Sequence, residues 1–161
     1  MNNIEKYLKI SIKFAKKCNR SKIGSYTCIE EFVYRNGQLF TNIIFPENLI
    51  IGKMKECYKN AALLCMENKN YFYVEGYACG IIPVMHAWCI DKDKNVIDPT
   101  WNDGGEYFGI IIKKRFLMDS LVKKRVFGLI DDWSNGWELL RLNPEIWKEV
   151  INGRCRKIND R

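Results

Sequence analysis

Residues 71–101 read YFYVEGYACGIIPVMHAWCIDKDKNVIDPTW, and the architecture is built outward from them. Tyr71–Cys79 is aromatic and alternating, the period of a strand, and Met85–Ile90 and Val96–Asp98 give two further strand signals. The last two are separated by the polar loop Asp91–Asn95, which makes them an antiparallel hairpin. Residues opposite one another in such a pair project to the same face. That parity has a chemical consequence. His86, the one histidine of the chain, and Asp98 lie on either side of the loop. A turn centred on Lys92 sets His86 opposite Asp98 and Trp88 opposite Val96. A turn centred on Asp93 sets Trp88 opposite Asp98 and makes His86 the diagonal neighbour. Either register leaves imidazole and carboxylate on one face, within side-chain reach.

Upstream, Lys53–Asn68 turns helical, with Met54, Cys57, Ala61, Leu64 and Cys65 on one face and Asn68-Lys69-Asn70 as the stop. Downstream, the apolar run Tyr107–Lys113 is a fourth strand, bounded by Gly104-Gly105 and Lys114-Arg115. In the first strand Val74, Gly76 and Ala78 form a small-residue face against which the helix is expected to lie. Tyr73, Glu75 and Tyr77 form the other. Residues 26–45 also alternate: Asn36-Gly37 is read as a tight turn between strands at Glu30–Arg35 and Gln38–Phe45, closed by Pro46-Glu47-Asn48. The C-terminal third is mixed helix and loop, with Asn143-Pro144-Glu145 opening a last helix. No repeat, linker or low-complexity stretch divides residues 1–161. The expected fold is one α+β domain in which a cysteine-bearing helix packs on an antiparallel β-meander, with residues 53–113 as its core.

Composition narrows the function classes. At 47% hydrophobic with 21 aromatic residues the chain is not of the disordered type. No window of 18 apolar residues suggests a membrane span, so no membrane partner is expected, and no apolar block behind the N-terminal lysines suggests a secretory signal. The seven cysteines are odd in number and lack a C-x-x-C pair, which fits reduced thiols in a cytoplasmic protein better than a disulfide framework. A single histidine excludes a zinc site of several imidazoles, and neither metal nor cofactor is expected. Residues 1–25 hold Lys6, Lys9, Lys13, Lys16, Lys17, Arg20 and Lys22 against Glu5 alone, a net +6 of the chain's +7. Ile4, Leu8, Ile12 and Ala15 recur there at helical spacing. Two readings of this basic N-terminal helix stand: an element docked on the core with a solvated lysine face, or a contact for nucleic acid.

A cysteine nucleophile reacts as the thiolate, which a helix N-terminus and a neighbouring imidazole both favour. The imidazole takes a proton and later returns it to a leaving group, and a carboxylate on its far side fixes the ring. Cys57 lies near the start of its helix on the apolar face, His86 is the sole imidazole, and Asp98 is its orienter. The Cys57 backbone N–H is the default oxyanion donor. Gln38 and Asn60 are candidates for a second donor or for ordinary structural contacts. Trp88 and Trp101 flank the site, either lining a cleft or packing in the core. Cys89 is turned away from His86 by alternation.

Glu56-Cys57-Tyr58-Lys59-Asn60-Ala61, Tyr73-Val74-Glu75-Gly76-Tyr77-Ala78, His86-Ala87-Trp88-Cys89 and Asp98-Pro99-Thr100-Trp101 together resemble the core of the transglutaminase-like superfamily of papain-type cysteine enzymes. They are most similar to small, mostly uncharacterised phage and bacterial proteins, in which Tyr107-Phe108-Gly109 belongs to the same pattern. The resemblance covers about residues 53–112. It implies Cys57 as nucleophile, His86 as general base and acid, and Asp98 as orienter. It also implies acyl transfer at a carboxamide or peptide bond of a protein or peptide substrate; water is the simpler acceptor for so small a domain, so hydrolysis (protease or deamidase) is expected ahead of amine transfer. If phage-encoded, the protein would act in the cytoplasm of a bacterial host. The residues before the cysteine, Lys55-Glu56, depart from the small residues of many relatives, and Glu56 is expected to point to solvent. The alternatives are a non-catalytic module of the same fold, such as a phage modulator of a host protein, and nucleic-acid binding through Lys6, Lys9, Lys13, Lys16 and Lys17.

Overall fold

The computed structural model describes residues 2–102, 105–143, 146 and 149–151. Five strands, β1 (Gln38–Phe40), β2 (Phe72–Cys79), β3 (Pro83–Ile90), β4 (Val96–Ile97) and β5 (Glu106–Ile112), form one antiparallel sheet in the order β1-β5-β2-β3-β4. The described helices are α1 (Asn3–Lys17), α2 (Ile29–Asn36), α3 (Cys57–Glu67), α4 (Lys114–Lys124) and α5 (Glu138–Arg141). The α+β class and the hairpin β2–β3–β4 follow the expectation. The run at 107–113 does not extend the meander past β4. As β5 it pairs with the other edge of β2, and β1 pairs with β5 in turn.

The sheet curls until its edges meet. Beyond β1, Ile44 donates to the Val96 carbonyl (2.9 Å) and Val96 to the Asn42 carbonyl (2.7 Å), so residues 42–44 lie beside β4. Apolar alternation then produces two cores. Phe40, Val74, Ala78, Trp88, Ile90, Val96, Tyr107 and Ile111 pack together with no helical residue among them, which places them within the curl. The opposite face, with Tyr73, Tyr77, Ala87, Cys89, Phe108 and Ile110, is covered by Ile4 and Leu8 of α1, Phe32 and Val33 of α2, and Ala61, Ala62 and Cys65 of α3.

The cysteine helix therefore lies on the tyrosine face of β2, not on its small-residue face. The glycines on the inner face serve the curl instead. A Cβ at Gly76 would sit 2.4 Å from the Gly109 Cα, and one at Gly109 would sit 2.6 Å from the Trp88 ring. Cys89, on the outer face, donates its thiol to the Ala61 carbonyl at 3.2 Å and so fastens β3 to α3. α3 begins at Cys57 rather than Lys53, leaving Met54 in the preceding loop and 61% exposed.

Residues 29–36 are helix, which corrects the expected Glu30–Arg35 strand, and the strand after it is only Gln38–Phe40. Phe32, Val33 and Asn36 are buried together at helical spacing. Glu31 stabilises the start by accepting from the Thr27 N–H at 2.6 Å and pairs with Arg35 one turn on. Asn36-Gly37 ends this helix instead of turning a hairpin. Gly37 is required there because a Cβ would meet the Val33 carbonyl at 2.6 Å and the Phe108 ring at 2.8 Å. Pro144 and Glu145 of the expected last helix, Gly104 and Cys155 lie outside the described residues. No described helix is long and apolar enough to cross a membrane.

Glu75, at the middle of β2 on the helix-covered face, is fully buried. Its carboxyl accepts the N–H groups of Leu129 (2.8 Å) and Ile130 (2.7 Å) and lies 2.7 Å from the Tyr73 hydroxyl, tying the segment after α4 to the sheet. Burial raises its pKa to about 7 against the lowering effect of these bonds. The folded chain thus keeps a proton that the unfolded chain releases at a lower pH. The stability Glu75 contributes is full below about pH 4.5 and is lost as pH rises through about 7. Urea unfolding is expected to show a fall of about 2–3 kcal/mol across that window that is absent in Glu75→Gln. Equal slopes in the two proteins would show that Glu75 ionises freely in the fold.

Candidate active site

The site is built around Asp98, whose side chain is fully buried. The sequence Asp98-Pro99-Thr100-Trp101 bends back on its own first residue. The Thr100 and Trp101 N–H groups donate to Asp98 Oδ1 at 2.8 and 3.0 Å. Asp98 Oδ2 bonds His86 Nε2 at 2.7 Å and accepts the Tyr107 hydroxyl at 2.8 Å. A buried carboxylate with four donors is held in one fixed orientation.

The register is the one centred on Asp93: Cys89 pairs with Ile97 and Ile90 with Val96, so His86 meets the carboxylate diagonally. With Nε2 committed to Asp98, Nδ1 is the ring nitrogen left to face Cys57, which lies near enough to the ring to raise its pKa. The meeting is possible because β4 is two residues long and pairs only with Cys89 and Ile90. The β3 edge beside His86 is free of a strand, and the first turn of α3 reaches it there. Burial opposes a charge on His86, while the hydrogen bonds and charges of Asp98 and Cys57 outweigh it and lift its pKa to about 9. At neutral pH the ring is an imidazolium. It is 2% exposed and stacks on Trp101 with centroids 4.4 Å apart, with Trp88 at 6.3 Å on a nearly parallel plane.

Cys57 is placed by its neighbours. Asn60, one turn on, donates to the Lys53 carbonyl (2.9 Å) and to Thr100 Oγ1 (3.0 Å), while Gly52 N–H bonds the Pro99 carbonyl (2.7 Å). These bonds hold the loop before α3 and the helix start against the segment that carries Asp98. Lys55 turns the chain into the helix with a left-handed φ of 68°. The first intrahelical bond runs from Asn60 N–H to the Glu56 carbonyl, so the Cys57 N–H is left for another acceptor. Glu56 bonds Lys59 at 3.0 Å and pairs with Lys53 at 3.4 Å, and these lysines hold its carboxyl below the ordinary range. Its charge is directed at lysines on the surface, as expected.

Of the expected residues, His86 bonds Asp98 and Cys57 lies near the same ring, while the accessory residues divide. Asn60 is a positioning residue whose amide hydrogens face Lys53 and Thr100. Gln38 accepts from Lys94 Nζ at 3.1 Å, which ties it to the β3–β4 loop and not to α3. Trp88 is wholly buried in the inner core and lines no open cleft, whereas Trp101 is half-buried and covers the imidazole. Tyr107 and Thr100 are site residues to which sequence reading assigned no role. Tyr107 sits opposite Ala78, on the same inner face as His86, a parity that would have found it had the β2–β5 pairing been known. Among the described residues no cluster of three His, Cys, Asp or Glu side chains is arranged to hold a metal.

No protein family, curated protein or solved structure matches the chain. Tyr107→Phe removes one of four donors from a buried anion and is expected to cost about 1–3 kcal/mol in urea unfolding. An unchanged midpoint would mean that the hydroxyl does not hold Asp98.

Proposed function

We propose that the protein is a cysteine-dependent acyl-transfer enzyme of the transglutaminase-like type, acting at a carboxamide or peptide carbonyl. Cys57 is the nucleophile, His86 the general acid and base, and Asp98 its orienter. The observation that supports this reading is the buried hydrogen bond between Asp98 and His86, with a cysteine at the first position of a helix near enough to the ring to raise its pKa. A structural histidine needs no thiol partner at a helix start, and an imidazolium is the neighbour that a reactive thiolate requires.

In the proposed cycle the Cys57 sulfur attacks the carbonyl carbon and the carbonyl π pair moves onto oxygen. The Cys57 N–H at the start of α3 donates to that oxyanion. As the tetrahedral intermediate collapses, the C–N bond breaks and His86 gives its proton to the departing nitrogen, leaving a thioester and a neutral ring. Water then adds to the thioester carbonyl as His86 removes its proton. Collapse breaks the C–S bond, releasing a carboxylic acid and returning Cys57 and His86 to their starting state. Water is the simpler acceptor, which makes a protease or deamidase the preferred form. Asp98 keeps the ring in place throughout, itself held by its other donors.

Labelling with iodoacetamide at neutral pH separates activation from access, because Cys18 is exposed while Cys57 is 9% exposed. Peptide mapping is expected to find Cys57 alkylated at least roughly tenfold faster than Cys18, with that advantage lost in His86→Gln. Faster labelling of Cys18, together with a Cys57 rate indifferent to His86, would remove the case for an activated nucleophile.

A further inference from the structure

We infer that the outer face of α1 is a docking surface for an anionic lipid bilayer, on which the protein rests without spanning it. The inner side of α1 is accounted for, since Ile4, Leu8 and Ala15 are buried on the core. The outer side is not what a solvated face requires. Ile10 is 68% and Phe14 56% exposed, one turn apart. Lys6, Lys13 and Lys17 stand three or four residues from them along the same side. The one acid of α1, Glu5, is in the first turn, where its N–H is capped by Asn2 at 2.7 Å.

Lysines alone would suit water or any polyanion, and neither calls for an exposed isoleucine and phenylalanine between them. A bilayer with anionic headgroups uses both kinds of group. The two apolar side chains enter the boundary of headgroup and acyl chain, while the ammonium groups meet phosphate oxygens. The ridge is the convex outer surface of a helix, which fits a broad plane better than it grips a strand. It is also preformed: Glu106 of β5 accepts from the Asn3 and Ile4 N–H groups at 2.8 and 3.2 Å, clamping the helix start. This contact differs from the expectation of no membrane partner, which rested on the lack of a spanning segment. It is independent of the chemistry at Cys57.

The test is co-sedimentation of the full chain with extruded vesicles of phosphatidylcholine, with and without phosphatidylglycerol, at low and high salt. Anionic vesicles are expected to bind at least roughly tenfold tighter than neutral ones, with salt weakening the contact. The double change Ile10→Ser and Phe14→Ser is expected to lose about tenfold or more while keeping every lysine. Lys13→Glu with Lys17→Glu is expected to lose at least as much. Unchanged urea midpoints confirm that each variant folds, these side chains being exposed. Failure to bind anionic vesicles overturns the inference. So does binding that survives loss of Ile10 and Phe14, or a single-stranded DNA oligonucleotide that binds more tightly than the vesicles.

Discussion

A carboxylate without water has few ways to remain charged, and Asp98 uses all of its oxygen capacity to do so. Two backbone N–H groups, one phenol and one imidazole converge on it from three parts of the chain. Removing such donors from a buried ion costs more than their presence contributes, because the charge would then stand unpaired. The Asp98–Trp101 bend, the pairing of β5 with β2 that delivers Tyr107, and the orientation of His86 all depend on this one anion. The charge state of the ring follows from it.

The surroundings make the interaction strong. Trp101 and Trp88 flank the imidazole in near-parallel planes, and Tyr107 fills the space beside them, so water is kept from the bond between ring and carboxylate. A low local dielectric strengthens charge pairing and also makes it costly to get wrong. Gly76 and Gly109 allow the inner face to close around Trp88. The brevity of β4 leaves the gap through which a helix packed on the outer face presents Cys57 to a ring on the inner face. Thus both faces of β3 are engaged at the site: Cys89 bonds the helix from one side while His86 bonds Asp98 from the other.

The parts of this arrangement that were legible in the sequence are those set by local periodicity. Alternation through Met85–Ile90 and Val96–Asp98 placed His86 and Asp98 on one face before their register was known, because a shift of turn centre by one residue preserves parity here. The helix around Cys57 was legible from its apolar spacing. Its true first residue was not, because that depends on bonds from Asn60 to Lys53 and Thr100, the latter made forty residues away in the chain. Residues 29–36 are ambiguous in the sequence because a short amphipathic helix and a short strand look alike over eight positions, and here tertiary burial of Phe32, Val33 and Asn36 decides between them. Strand order was illegible for the same reason that Tyr107 received no role. Nothing local states that β5 returns to β2, so the small residues of β2 suggested a helix contact when they serve the curl.

All of this rests on the state of one imidazole, and the chain has only one to observe. A nitrogen-edited NMR titration of His86 is the most direct measurement, since no other histidine signal can be confused with it. The account predicts a ring protonated on both nitrogens through neutral pH, titrating near about 9, with the midpoint falling in Asp98→Asn. A neutral ring at pH 7.5 with a midpoint at or below the ordinary value of about 6.5, unmoved by Asp98→Asn, would contradict it.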